Sequence, residues 1–310
     1  LLRNSEENKI DLLDADILKL AARGFSTRAI ATNLSESERK VKTRLKKLDV
    51  DCLLPVSEAA RYSVYLDLPL YVKSNCVITA DWHIPLFDAD LVNEMILDAK
   101  HAGLKTLVIG GDFFNFDALS QYDPKQNDPD LEWELTEGVA TMEILTKTFD
   151  EIVYLLGNHD QRLHRSLNYK IPFKYAMSLV FDKMSAEAME KVYFSNLDFC
   201  YIDHGGMYDW RVCHPATYSK LPLAVPRQLA AKFTESHIIS AHGHHSAVAY
   251  APDGKRVLVE AGGLHDRTKT AYLQRTTTFP VWQQGYATLI DDKLRVVTPE
   301  FTYNYEKETV

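Results

Sequence analysis

Between residues 76 and 156 three short β-branched runs, CVITA (76–80), TLVIG (106–110) and IVYLL (152–156), alternate with stretches of helical period over about 88–101 and 131–149. Short apolar strands separated by helices predict an α/β sheet joined by crossover helices. Each run ends in polar residues: Asp81-Trp82-His83 after the first, Gly111-Asp112 after the second, Gly157-Asn158-His159-Asp160 after the third. Ligands in open α/β sheets bind beyond the carboxyl ends of the strands, so all three clusters are predicted on one rim. Past residue 192 the pattern turns strand-rich, with FCYI, WRVCH, HIISA, VLVEA, YATLI and LRVVT. His214 sits just past one of these runs, and AHGHHSA (241–247), with His242, His244 and His245, just past another.

The first 50 residues read differently. A helix near Asp14–Ala22, a break at Gly24, a short helix from Ser26 and a third helix over about Ser35–Leu48 are predicted. Ser35 followed by Glu38 fits a capping box. In the third helix Val41, Leu45 and Leu48 form an apolar stripe, and Arg39, Lys40, Lys42, Arg44, Lys46 and Lys47 cover the rest. Residues 51–75, with Pro55 and Pro69, show no period. The expected organisation is therefore a helical domain over 1–50, a linker over 51–75, an α/β domain over 76–300 and a tail over 301–310.

Composition excludes several classes. With 46% apolar residues in a chain of 310, a substantial core is expected and a disordered or fibrous protein is not. No apolar run approaches the roughly 18 to 20 residues of a membrane span, and LLRNSEENKIDLLDAD is too charged for a secretory signal. A soluble, cytoplasmic protein with no membrane partner is expected. Cys52, Cys76, Cys200 and Cys213 are widely spread with no CxxC pair, against a zinc ribbon or disulfide scaffold. The net charge of −8 argues against a whole-protein polyanion binder, although local basic patches and metal-neutralised carboxylates escape that count.

Taken singly, the polar clusters are weak signals: Gly-Asp after a strand is commonly a turn, and a lone histidine commonly a satisfied hydrogen-bonding residue. Jointly, the ordered set D-x-H, G-D, G-N-H-D, H and H-x-H resembles the calcineurin-like metallophosphoesterase superfamily over about residues 76–300. The fold implied is a four-layer sandwich of two mixed β-sheets flanked by helices. Two divalent ions about 3.5 to 4 Å apart can clamp a phosphoryl group and lower the pKa of a bridging water, which then attacks phosphorus. By the resemblance, Asp81, His83 and His244 hold one ion, Asp112 bridges, and Asn158, His214 and His242 hold the other. The mixed nitrogen and oxygen set suits Mn²⁺ first, with Fe, Zn or Ni as alternatives.

The resemblance also implies that His159 protonates the leaving oxygen, with Asp160 orienting its ring, and that Asn158 approaches the substrate; the plainer reading of His159 is a loop brace. Arg162 is a candidate for a nonbridging phosphate oxygen, or for a salt bridge. HGHH permits a rival register through His245, but the H-x-H spacing, with Gly243 allowing a tight backbone, favours His242 and His244. Two departures are Ala241 before His242 and Pro215 after His214, where the superfamily commonly has glycine.

GGDFFNFD carries Asn115 and Phe116 where phosphoprotein phosphatases have Asp-Arg, so that branch is disfavoured. The run instead resembles phosphoesterases of phage and bacterial genomes, which implies the cytoplasm of a bacterial or phage-infected cell. Gly24, Ser26, Ile30, Ala31 and Leu34 resemble the core of a regulator helix-turn-helix, whose basic third helix would enter the DNA major groove. The plainer reading is a solvated basic face. The expected function is a metal-dependent phosphodiesterase, a DNA-directed nuclease foremost. The alternative is a small-nucleotide phosphodiesterase or phosphomonoesterase whose N-terminal helices contact a protein. Tyr272, Trp282 and Tyr286 are candidates for a substrate groove or for the core.

Overall fold

CVITA, TLVIG and IVYLL become adjacent parallel strands, and the rest of the larger unit is arranged around them. The computed structural model describes residues 12–22, 25–48, 68–120, 130–269, 282–299 and 302–305. The chain divides into two compact units, Leu1–Leu68 and Pro69–Val310.

In the first unit α1 (Leu12–Ala22), α2 (Thr27–Asn33) and α3 (Glu38–Lys47) enclose Ile17, Leu20, Ile30, Ala31 and Val41, with Leu45 and Leu48 packed alongside. The expected capping box at Ser35 does not form. Ser35 has φ 51° and closes α2 instead: its N–H donates to Thr32 and that of Glu36 to Ala31, the paired bonds of a Schellman turn. The cap of α3 moves two residues on to Ser37, whose hydroxyl accepts from the Lys40 N–H at 3.3 Å. Arg44 turns inward to Asp14, 2.6 Å away, so it leaves the basic face.

The second unit contains, in chain order, β1 (Tyr71–Val72), β2 (Cys76–Thr79), α4 (Ala89–His101), β3 (Thr106–Ile109), α5 (Leu131–Thr146), β4 (Glu151–Tyr154), α6 (Asp160–Ser166), α7 (Phe173–Val180) and α8 (Ala186–Met189). There follow β5 (Val192–Phe194), β6 (Phe199–Ile202), β7 (Asp209–Cys213), α9 (Ala224–Lys232), β8 (Ser236–Ser240), β9 (Ser246–Tyr250), β10 (Val257–Ala261), β11 (Tyr286–Ile290), β12 (Lys293–Val297) and β13 (Thr302–Tyr305). One sheet has the order β13-β12-β11-β2-β3-β4-β5, parallel from β2 to β5; the other runs β1-β6-β7-β8-β10-β9. Both sheets are mixed.

Strand alternation builds the layers. Val77, Leu107, Ile109, Ile152 and Tyr154 face outward to α4, α5 and α7, where they meet Met95, Met142 and Met177. Cys76, Ile78, Val108 and Val153 face the other sheet and pack on Trp210, Val212, Ile239 and Val259. On the far side Ile238 and Leu258 pack on Ala230 of α9. The result is helices, sheet, sheet, helix. Cys76, Cys200 and Cys213 are buried free thiols, which burial keeps protonated.

Four short strands carry no readable period in the sequence. β1 lies within the stretch read as linker, β13 within the stretch read as tail, and β5 and β9 between assigned runs. No helix among the described residues is long and apolar enough to cross a membrane.

Gly138 of α5 lies against the fully buried ring of Phe114, and a Cβ added there would stand 2.0 Å from Phe114 Cε1. Because Phe113, Phe116 and Phe181 surround that ring, it has nowhere to move. Overpacking a close-packed core costs about 1 to 3 kcal/mol. Gly138→Ala is therefore expected to lower the thermal midpoint despite alanine's better helix propensity; an unchanged or higher midpoint in calorimetry would contradict this packing.

Candidate metal centre

Loops from the two sheets converge at the carboxyl ends of their central strands. Asp81 and His83 follow β2, Asp112 follows β3, Asn158 and His159 follow β4, His214 follows β7, and His242 and His244 follow β8. Asp81, His83 and His244 each offer a ligand atom within 4.8 Å of the others, and Asp112, His214 and His242 do the same. A third combination, His83, Asp112 and His159, overlaps both. Nε2 of His83 and Nε2 of His244 face each other at 3.3 Å. Asn158 joins the second group through Oδ1, which lies 2.8 Å from Nε2 of His214.

The backbone is strained to achieve this. Asp81, His83, Asp112, His242 and His244 have φ of 51°, 50°, 52°, 73° and 51°, in the left-handed region that costs a non-glycine residue about 1 to 3 kcal/mol. Such strain persists only where surrounding bonds over-determine it. Here Asp81 donates its N–H to Gly111, and Trp82 and His83 donate theirs to the carbonyl of Asp112. Gly157 is required by crowding, since a Cβ there would lie 2.2 Å from the backbone nitrogen of Asp112.

Electrostatics define what the cluster can hold. Asp81 Oδ2 accepts from the His242 N–H and Asp112 Oδ1 from the His159 N–H, but Asp81 Oδ1 and Asp112 Oδ2 are buried with no hydrogen-bond partner among the described residues. Asp81 Oδ1 faces ring nitrogens of His244 and His83 at 3.4 and 3.9 Å; Asp112 Oδ2 faces those of His214 and His83 at 3.3 and 4.0 Å. Burial, with Asp112 nearby, pushes the Asp81 carboxyl up to about 7. Burial also opposes charge on Asp112 and His214, but their mutual attraction outweighs it: Asp112 stays well below the usual carboxylate range and His214 rises to about 10. Burial holds His83 and His244 well below the ordinary imidazole value. A buried carboxylate without enough opposite charge costs several kcal/mol, so these orphan oxygens, facing the ring nitrogens of His83, His244 and His214, fit divalent cations. The mixed donor set suits a transition ion.

The supporting contacts correct two expectations. Asp160 does not orient the His159 ring: its oxygens accept from the Tyr154 hydroxyl at 2.7 Å and from the N–H groups of Asp112 and Gly157 at 2.8 and 3.0 Å. The ring of His159 is held through Nδ1 by the carbonyl of Asn115, 2.7 Å away. Gly243 does not supply the tight backbone, since the left-handed residues are His242 and His244 themselves; its missing side chain makes room for Glu260. His245 stands outside the ligand groups, its Nε2 3.2 Å from the carbonyl of Ser219. Arg162 pairs with Asp117, donates to the carbonyl of Asn115 at 2.9 Å, and has Nη2 3.3 Å from Nε2 of His159. Tyr272 lies outside the described residues. Tyr286 is buried, its hydroxyl donating to Asp98, whereas the Trp282 ring stacks on His244 at 4.1 Å.

Sequence reasoning missed Asn115, Glu134, Tyr218 and His265 as parts of this neighbourhood. Asn115 Oδ1 lies 3.2 Å from Nδ1 of His83, which directs Nε2 of that ring at the cluster. His265, buried, has its ring 5.1 Å from that of His83.

A family model described as calcineurin-like phosphoesterase matches residues 75–279. Similar solved structures include a predicted phosphoesterase from Streptococcus pneumoniae TIGR4, 14% identical, with a TM-score of 0.37 over 76% of this chain and 99% of that one. A single mutant of Vps29 from Entamoeba histolytica is 11% identical, with a TM-score of 0.39 over 75% of this chain and 99% of that one. The nuclease MPE of Pseudomonas putida is 13% identical, with a TM-score of 0.28 over 74% of this chain and 87% of that one. No curated protein matches the chain.

Glu134 secures the loop on which His83, His159 and Arg162 lean. Its fully buried carboxylate accepts from the N–H of Phe116, a left-handed residue, while Oε2 has no partner among the described residues. A sequence signal existed: Glu134 shares one helical face with Gly138, Thr141, Met142 and Leu145, all buried. Burial lifts the Glu134 carboxyl to about 8, against an ordinary value of 4.5. A raised folded pKa means that its favourable contribution is complete below about 4.5 and is lost as pH rises toward about 8. Glu134→Gln, which does not titrate, is therefore expected to lose less stability relative to wild type at pH 8 than at pH 5. Urea unfolding across that range checks it; a deficit that grows with pH would show the sign to be wrong.

Proposed function

The chain belongs to the calcineurin-like phosphoesterase family, and from that premise we propose that it is a two-metal phosphodiesterase acting on nucleic acid. The observation that carries this reading is the pair of buried orphan oxygens, Asp81 Oδ1 and Asp112 Oδ2, each facing two ring nitrogens. Asp81, His83 and His244 would hold one ion and Asn158, His214 and His242 the other, with Asp112 between them. Bound there, divalent ions, Mn²⁺ foremost with Fe, Zn or Ni as alternatives, would offset charge on the phosphoryl oxygens and lower the pKa of water.

The chain's own groups supply the rest. With Nδ1 of His159 donating to the carbonyl of Asn115, Nε2 is the nitrogen left to face substrate; burial favours the neutral ring, so Nε2 would first take up a proton from solvent and then pass it to the leaving oxygen. Arg162, beside that nitrogen and braced by Asp117, would donate to a nonbridging phosphoryl oxygen. Asp160 acts at one remove, by fixing the N–H groups of Asp112 and Gly157.

Nucleic acid as substrate is supported by the N-terminal unit, whose three helices follow the order of a helix-turn-helix. Arg44 is spent on Asp14, and Lys40 and Lys42 pair with Glu36 and Glu38. Among the described residues Arg39, Lys46 and Lys47 make no ion pair, which leaves them for phosphates.

Asp112→Ala is expected to lose both ions and all turnover, His159→Ala to keep the ions while kcat falls about 10² to 10⁴, and His245→Ala to keep the ions. Metal counting with Mn²⁺ and turnover of bis(p-nitrophenyl) phosphate against p-nitrophenyl phosphate test the set. Equal metal loss in the first two variants would defeat the division of roles, and preference for the monoester would defeat the diesterase reading. If three cations contact duplex DNA, deleting residues 1–50 should flatten the slope of log K against log salt by about 3; an unchanged slope removes the N-terminal unit from DNA binding.

A further inference from the structure

Beside the metal centre lies an aromatic edge that the fold does not bury. Tyr218, in the loop between His214 and α9, is 42% exposed, and its ring stands 6.0 Å from the His242 ring at 76°. The Trp282 ring, partly buried, stacks on His244 at 4.1 Å and 28°. His242 and His244 belong to different ligand groups, so the two rings run alongside the pair rather than beside one ion. Next to them Arg267, exposed, donates to the carbonyl of Trp282 at 3.2 Å.

The edge is held in place from below. His245 Nε2 lies 3.2 Å from the carbonyl of Ser219, the residue after Tyr218, and Glu260 accepts from the Leu223 N–H at 2.6 Å. A tyrosine that served only to fill the core would be covered; this one is anchored through its neighbours while its ring is left to solvent.

We propose that Tyr218, beside His242, with Trp282 beside His244, is a stacking subsite for the base of an unpaired nucleotide whose phosphate lies at the metal centre, with Arg267 toward the next phosphate. The proposal rests on the phosphodiesterase reading and adds what that reading leaves open, the nucleoside on the ester. Aromatic rings beside a cation are the means by which proteins hold single strands without reading sequence, since every base has a flat face. A paired base presents no such face, so duplex interiors would be excluded.

The test compares two diesters with the same leaving group and charge, the p-nitrophenyl ester of thymidine 5′-phosphate and methyl p-nitrophenyl phosphate, with Mn²⁺. Wild type is expected to favour the nucleoside ester in kcat/KM by about tenfold or more. Tyr218→Ala should reduce that ratio by about tenfold, mainly through KM for the nucleoside ester, and Tyr218→Phe should restore it. Calorimetric binding of thymidine 5′-phosphate should weaken in the alanine variant and recover in the phenylalanine one. If wild type cleaves both esters without preference, or the ratio is the same in Tyr218→Ala, the subsite is overturned and the phosphodiesterase reading stands. If wild type cleaves neither ester, the phosphodiesterase reading falls and the subsite with it.

Discussion

Two carboxylate oxygens buried without a hydrogen bond, on Asp81 and Asp112, are the constraint around which this unit is organised. Apart from the attraction between Asp112 and His214, the fold by itself offers them little in return. Each costs several kcal/mol of lost hydration, and the five left-handed residues around them add strain of about 1 to 3 kcal/mol apiece. That much unfavourable energy is comparable to the whole net stability of a domain. It can be carried only by a large core and recovered by a ligand that binds the folded state. A cation between opposed carboxylates and imidazoles is such a ligand, and one that would pull the Asp81 proton off as it bound.

The four layers explain how the strain is held. β2, β3 and β4 are apolar on both faces, locked between the helices on one side and the second sheet on the other, so their carboxyl ends cannot drift. β7 and β8 bring the second set of ligands from the facing sheet. The hydrogen bonds that fix the loops cross from one ligand segment to the next: Trp82 and His83 to Asp112, His159 to Asp112, His242 to Asp81. Each segment therefore depends on the others, and the site is a joint property of five chain segments.

How far this was legible in the sequence follows from what kind of fact each part is. Residue types at strand ends can be read because the chemistry of phosphoester cleavage demands nitrogen and oxygen donors there, and β-branched runs can be read because strands buried on both faces are continuously apolar. Direction cannot be read. Asp160 follows His159 in sequence yet turns to Tyr154 and the Asp112 loop, because its carboxylate meets three donors there. Ser35 has the composition of a cap but lies where α2 must end, so Ser37 caps instead. Arg44 looks like one more cation on a basic helix and is committed to a partner 30 residues away. β1 and β13 are defined by their partners rather than by any period of their own.

AHGHHSA concentrates the difference between composition and arrangement. Three histidines in four positions suggest one compact site, but left-handed turns at His242 and His244 send their rings to separate groups. The remaining histidine points away, to the carbonyl of Ser219, and so ties the loop that carries Tyr218 to the strand that carries the ligands. A seven-residue stretch thereby couples both ligand groups to the rim that carries Tyr218. Moving that loop would disturb His245 first and then the strained backbone of His244 beside it, so the position of the rim and the geometry of the metal centre are set by the same few bonds.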